Sequence, residues 1–211
     1  AAVTPLTGDV VEIGGTAAGT YADKNVGEAK VITITGVTIS GTDADNYNLI
    51  QQTGLRADIT TKSITISGTS ATNTVYDTTR TAALVTTNSV LTDGATASND
   101  NKYYTSDSVS LVKTNAAGTY ADKNVAEGKV ITVTGFSLSG DDAANYALVQ
   151  PTDLAADITK ADLNVTGITA SSRVYDTTRT AVLGGTAAVT PLTGDVVEIG
   201  GTAAGTYADK N

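Results

Sequence analysis

The chain has 211 residues, 40% apolar and only 5% aromatic, and a formal net charge of −9. It contains no Cys and no His, which excludes disulfides, thiol nucleophiles and Cys-based metal sites and removes the commonest general base and transition-metal ligand. The acidic balance argues against nucleic acid and anionic lipid as partners. No apolar run approaches the roughly 18 residues of a membrane span, so no membrane insertion by this segment is expected.

In chain order the strand signals begin at 30–35, where Ile32 and Ile34 alternate with Thr33 and Thr35. That is period two, with a β-branched apolar face and a Thr face. After Gly36 the apolar phase slips by one, to Val37 and Ile39, and the copy around Gly135 slips to Phe136 and Leu138. A Gly at such a slip predicts a bulge or tight bend. Further strands are expected at 63–67, 109–112, 146–149, 154–158 and 163–166, separated by clusters of Gly, Asp, Asn and Ser. No stretch carries a helical period.

Repeats dominate the organisation. The first 25 residues, AAVTPLTGDVVEIGGTAAGTYADKN, return letter for letter at 187–211, an offset of 186. Inside that period VYDTTRTA occurs at 75–82 and 174–181, an offset of 99, and GTYADKN starts at Gly19, Gly118 and Gly205. Two alternating modules of about 99 and about 87 residues follow from these spacings. Units of this length are domains rather than solenoid turns, which run roughly 20–45 residues. The direct strand-to-strand passages at 55–66 and 154–165 place the boundaries. Residues 1–61 form the C-terminal part of one β module, 62–159 a complete module, and 160–211 the N-terminal part of the next. The chain opens in mid-pattern, so it reads as a fragment with further copies on both sides. Junctions without Gly, Pro or Ser runs predict stiff connections.

The fold class expected is all-β: tandem small antiparallel β-sandwiches, immunoglobulin-like, forming an elongated rod. Asp142-x-Ala144-x-Tyr146-x-Leu148 and Asp43-x-Asp45-x-Tyr47-x-Leu49 have the spacing of a tyrosine corner, in which the Tyr hydroxyl bonds back to backbone at a sheet corner.

The succession VYDTTRTA, GTYADKNV, SGTDADNYNL or SGDDAANYAL, then ADIT resembles the YDG-type repeat domains of very large secreted bacterial surface proteins, including filamentous-haemagglutinin-like adhesins exported by two-partner secretion. The resemblance spans essentially the whole chain and implies an extracellular or cell-surface stalk or adhesin role. One departure stands out: the name-giving Tyr-Asp-Gly reads Tyr76-Asp77-Thr78 and Tyr175-Asp176-Thr177. If the Gly serves a positive φ, this turn must differ locally.

Seven of the nine Tyr recur within repeated motifs, which favours packing and corner bonding over ligand binding. Tyr103 and Tyr104 are assigned instead to the extra 12 residues of the longer module: Tyr76 to Tyr120 spans 44, Tyr175 to Tyr207 spans 32. There they could stack on a sugar; the plainer expectation is a capped hairpin. Asp43 with Asp45, and Asp141 with Asp142, are loop carboxylates that with backbone carbonyls could hold Ca²⁺. No complete D-x-[DN]-x-[DN]-G loop accompanies them, and turn capping is the plainer role. No other cofactor and no catalytic residue is expected, and paired carboxylates for glycoside hydrolysis would need a cleft that a repeated array does not supply. Lys24-Asn25 and Lys123-Asn124 are adjacent in one turn, unlike the facing strands an isopeptide bond needs. Arg80 and Arg179 are expected to pair with a nearby Asp. The function expected is a structural stalk or spacer whose partners are neighbouring copies of the repeat. The alternatives are a self-assembling extracellular filament or sheath, or a repeated module binding host or bacterial glycans weakly through avidity.

Overall fold

The computed structural model describes residues 2–209 and is all-β. Lys210 and Asn211, the end of the third GTYADKN motif, lie outside the described residues. The strands are β1 (Glu12–Tyr21), β2 (Gly27–Ser40), β3 (Arg56–Ile59), β4 (Lys62–Ser67), β5 (Ser70–Thr72), β6 (Thr74–Val75), β7 (Thr81–Val85), β8 (Val90–Leu91), β9 (Ser110–Val112), β10 (Ala117–Tyr120), β11 (Ala126–Thr134), β12 (Ser137–Ser139), β13 (Tyr146–Val149), β14 (Ala155–Thr159), β15 (Thr166–Ser171) and β16 (Val182–Ala188). Single 3₁₀ turns occupy Ala44–Asn46 and Ala143–Asn145, just before the corner tyrosines.

These strands gather into two compact units. One comprises Ala1–Ser67, Val90–Lys113 and Phe136–Gln150 and holds the sheets β1-β2-β3, β13-β4-β8 and β12-β9. The other comprises Gly68–Ser89, Thr114–Gly135 and Pro151–Asn211 and holds β15-β16 together with a six-stranded sheet, β5-β7-β10-β11-β14-β6. That sheet is nearly closed and barrel-like. Its two edge strands, β5 and β6, flank a single residue, Asn73, whose side chain accepts from the Asp157 amide at 2.9 Å and donates to the Asp157 carboxylate at 3.0 Å in β14. Asn73 thus supplies a rung where the backbone ladder is interrupted. The sheets are mixed rather than wholly antiparallel as expected: β13 pairs with β4, and β14 with β6, in parallel.

The period-two reading of β2 holds from Lys30 to Thr35 and resumes, shifted by one, from Val37 to Ser40. At Gly36 the backbone is left-handed, with φ 81°. Opposite it the register to β1 shifts between Gly15 and Ala18. A Cβ on Gly36 would stand 2.2 Å from the Thr16 carbonyl. In the second copy Gly135 has φ 86° and a Cβ there would stand 1.9 Å from the Asn115 carbonyl; here the bend separates β11 from β12. The phase slip is therefore a bulge that only Gly admits.

The Tyr-Asp-Thr turn differs from expectation. Thr78 and Thr177 keep the left-handed conformation, at φ 70° and 65°. The Asp carboxylates of Asp77 and Asp176 hold it by accepting the amide and hydroxyl of Thr79 and Thr178. A β-branched residue here carries backbone strain that Gly would relieve.

Among the described residues every buried side chain lies between 64 and 158. Ile131, Val133, Tyr120, Ala156 and Ile158 form the core face of the six-stranded sheet, with Ala82 on β7. Gly118 lets Leu84 and Ile131 close over the β10 backbone, since a Cβ would meet them at 2.9–3.0 Å. The repeated Tyr reports completeness: Tyr120 is 2% exposed, while its counterparts Tyr21 and Tyr207 are 38% and 42% exposed.

Opposite backbone predictions follow for two positions. Gly135→Ala is expected to lower unfolding stability by about 2–4 kcal/mol. Thr78→Gly is expected to raise it by about 1 kcal/mol. Urea denaturation of both variants checks the pair.

Candidate functional site

The side chains with the richest polar chemistry meet at the corner that precedes β13 and recurs in the first copy. A tight turn places Asp107 three residues after Tyr104, with the Asp107 amide donating to the Tyr104 carbonyl at 2.9 Å. The Tyr146 hydroxyl sits inside this turn. It donates to Asp107 Oδ2 at 2.8 Å and accepts from the Tyr104 amide at 3.1 Å. The first copy repeats the arrangement: Tyr47 donates to Asp9 at 2.6 Å and accepts from the Leu6 amide at 2.8 Å. Asp142 and Asp43 close the other side by accepting the amides of Ser108 (2.9 Å) and Val10 (2.8 Å). Gly140 and Gly41 just before them have φ 111° and 123°. The tyrosine-corner spacing is thus a real corner, and its partner is a carboxylate as well as backbone.

The ADKN turn supplies the other half of the site. Lys129, on β11, reaches Asp122 Oδ1 at 2.6 Å and the Asn124 carbonyl at 2.8 Å, and Asp122 also accepts the Asn124 amide at 2.7 Å. Lys30 does the same for Asp23 and Asn25. The turn's own Asp is occupied, so its central Lys projects away. Lys24 Nζ lies 2.6 Å from Asp107 and 2.9 Å from Asp142. Beside it the Val26 amide donates to Asn145 Oδ1, and the Asn145 amide group donates to Asn25 Oδ1. Lys123 repeats the reach, 2.8 Å to Asp195, the counterpart of Asp107. There Tyr76 joins it, its hydroxyl donating to Asp195 at 2.7 Å and its ring centroid 5.4 Å from Lys123 Nζ.

Electrostatics match the geometry. The Asp107 and Asp142 carboxylates hold Lys24 well above the usual lysine value, and Asp195 followed by Tyr76 does the same to Lys123. Asp142 is held low by the Ser108 amide and then by Lys24, and Asp195 by Lys123 and then Tyr76. Burial, more than any partner, raises Tyr146.

The family model of the YDG domain matches residues 1–54, 60–154 and 159–211. The chain belongs to the YDG domain family. No curated protein and no solved structure matches it. Each Lys bridge therefore runs from one YDG copy to the next: Lys24 of the first copy to Asp107 of the second, Lys123 of the second to Asp195 of the third.

The remaining sequence candidates fall around this corner. Asp43 and Asp142 are backbone caps, and Asp142 is also ion-paired. Asp45 lies within the 3₁₀ turn and Asp141 just ahead of the other; both are exposed. No group of three or more carboxylates close enough to hold a metal ion occurs among the described residues. Tyr103 is tied on both sides, its amide to the Thr92 carbonyl and its carbonyl to the Ala95 amide. Tyr104 holds the place of Leu6 in the first YDG copy. Its ring stands 5.6 Å from Lys62 Nζ. The length added to the second copy lies mainly before Tyr103 and folds around Asp100, which accepts the amides of Thr96, Ala97 and Lys102 and the Lys62 ammonium. Lys62 first, and these amides after it, hold Asp100 far below the usual carboxylate range. Arg80 and Arg179 donate to the carbonyls of Ala121 and Ala208, a backbone role where an Asp partner was expected. The equivalence of Asp107 with Asp9 and Asp195 is masked in the sequence because its flanks diverge from theirs (TSDSV against TGDVV) and the spacing changes by one residue from the surrounding motif. Recurrence three residues after Leu6, Tyr104 and Leu192 was the available signal.

The pH dependence follows from the sign of these shifts. Asp142 and Asp195 are lowered from 3.8 in the fold, so their stabilisation is present above the unfolded value and lost as pH falls through the depressed one. Lys24 and Lys123 are raised from 10.5, so theirs is present below the unfolded value and lost as pH rises through the raised one. The urea midpoint is expected to fall between about pH 5 and about pH 2, and to fall less in Asp195→Asn. Equal slopes for the two proteins would remove Asp195 from the acid response.

Proposed function

We propose that this chain is a structural stalk or spacer segment of a large bacterial surface or secreted protein, located outside the cell, with its copies arranged as small sandwich-like modules along a rod. One observation carries the reading: the polar residues that recur from copy to copy are spent on the fold and on the copy junctions. Tyr47 and Tyr146 bond a turn of their own copy, and Lys24 and Lys123 bond the next copy. A site built for turnover or for a diffusible ligand would leave such groups pointing into a cleft. An adhesin context fits a spacer that carries a functional end away from the surface, and no catalytic role is assigned to any residue. The division at 1–61, 62–159 and 160–211 belongs to the same proposal.

A second reading is self-assembly of copies from separate chains, in which strand edges pair between copies. Neighbouring copies are the partners in both readings. Weak glycan binding near Tyr104 has no comparable support.

Small-angle scattering on arrays of two, four and six copies tests the spacer. The maximum dimension is expected to grow linearly, by roughly 35–45 Å per copy, with Ca²⁺ and with chelator alike. Growth as the square root of copy number would overturn it, and linear growth only with Ca²⁺ would turn the Asp clusters into metal sites.

A further inference from the structure

Between β8 and the corner turn, the second copy runs through Asp93-Gly94, the one Asp-Gly step in the 211 residues. The chain there makes a two-residue excursion that starts and ends on the same residue. The Thr92 carbonyl accepts the Tyr103 amide at 3.0 Å, and the Ala95 amide donates to the Tyr103 carbonyl at 3.1 Å. These bonds hold the peptide group before Asp93 and the peptide group after Gly94. The peptide group between the two residues is left out. Among the described residues neither the Asp93 carbonyl nor the Gly94 amide has a hydrogen bond, and the Asp93 carboxylate has no ion pair.

That arrangement leaves one motion open. Rotating the 93–94 peptide plane changes only ψ of Asp93 and φ of Gly94, and it leaves both bonds to Tyr103 in place. Gly94 sits at φ 75°. Apart from its chain neighbours, no heavy atom lies within 4 Å of where a Cβ would stand, so φ can swing without a clash. Asp93 is exposed. The rotation brings the Gly94 nitrogen against Cγ, the side-chain carbonyl carbon of Asp93. Every other Asp of the chain precedes a residue with a Cβ, whose steric limits on φ hinder the same approach.

We propose that Asp93 is a site of spontaneous succinimide formation and conversion to isoaspartate. The Gly94 nitrogen bonds to Cγ of the protonated Asp93 carboxyl, whose OH leaves as water together with the amide hydrogen. Water then adds to either ring carbonyl and breaks that carbon's bond to nitrogen. Opening at Cγ restores Asp93. Opening at the main-chain carbonyl leaves the chain running through Cβ and Cγ, one atom longer, with the former backbone carbonyl as a free carboxylate. The step needs no reagent but water and leaves the net charge unchanged. The added atom falls between the two bonds that hold Tyr103. Its neighbour Tyr104 gives its amide to the Tyr146 hydroxyl, so the modification loosens the corner of this copy. The shorter corner approach of the first and third copies, PLTGD, carries no Asp-Gly step.

The test is peptide mapping of the 211-residue chain aged at neutral pH and physiological temperature. Isoaspartate is localised by fragmentation of the tryptic peptide 81–102 and quantified by enzymatic methylation of isoaspartyl carboxylates. It is expected at Asp93 ahead of every other Asp, at close to the rate in the synthetic 81–102 peptide, which has no fold to restrain it. Gly94→Ala is expected to slow it about tenfold. Asp93→Glu, which would need a larger ring, is expected to abolish it. Amide hydrogen exchange at Tyr104 is expected to quicken in the converted chain. Four results would each overturn the proposal. They are isoaspartate at Asp93 no more abundant than at other Asp residues, a folded chain converting more than about tenfold slower than the peptide, a Gly94→Ala chain converting as fast as the parent, and unchanged exchange at Tyr104. None of them bears on the length of covalent arrays, so the spacer reading stands or falls separately.

Discussion

One carboxylate, Asp107, placed three residues into the corner turn, organises both the corner and the junction. Asp107 takes the corner tyrosine on one oxygen and the preceding copy's Lys24 on the other. Asp195 takes Lys123 and Tyr76 of the preceding copy. Each of the two carboxylates thus accepts from one tyrosine and one lysine. Exposed ion pairs are individually weak. The junction gains its definition from several donors converging on one acceptor, each held by a turn already rigid for other reasons. The occupied Asp23 and Asp122 leave Lys24 and Lys123 free to face outward, and the adjacent Asn25 and Val26 lock Asn145 in the next copy.

The backbone imposes the second constraint. Gly36 and Gly135 are bulges with no room for a Cβ, and they reset the apolar phase of the longest strands. Thr78 and Thr177 hold left-handed turns at a cost, compensated locally by Asp77 and Asp176. The bulge is built by removing a side chain; the turn is built by bonding around one.

Much of this was legible from residues alone. Alternating Ile and Thr gave β2 and β11, the phase slip gave the bulges, and D-x-x-x-Y gave the corners. What escaped depended on pairing across the chain. The strand expected at 163–166 has the right composition, yet it does not form over 163–165, whereas its counterpart β4 pairs with β13. The identical runs 12–21, which is strand β1, and 198–207, which lies outside the strands, make the point most directly, because strand propensity is the same and only the neighbour differs. The parallel pairs and the nearly closed sheet are likewise set by which segments meet, through Asn73 and Asp157 for instance. Lys24 drew notice for its adjacent Asn, whereas its role lies 83 residues away at Asp107.

The central claim is that the corner carboxylate and the preceding copy's lysine act as one unit. A double-mutant cycle on Lys123→Met and Asp195→Asn, read by urea unfolding near neutral pH, tests it most directly. The account predicts that Lys123→Met costs clearly less in the Asp195→Asn background than in the parent, because its partner charge is already gone. Costs that simply add would contradict it and reduce the bridge to two side chains that happen to lie close together.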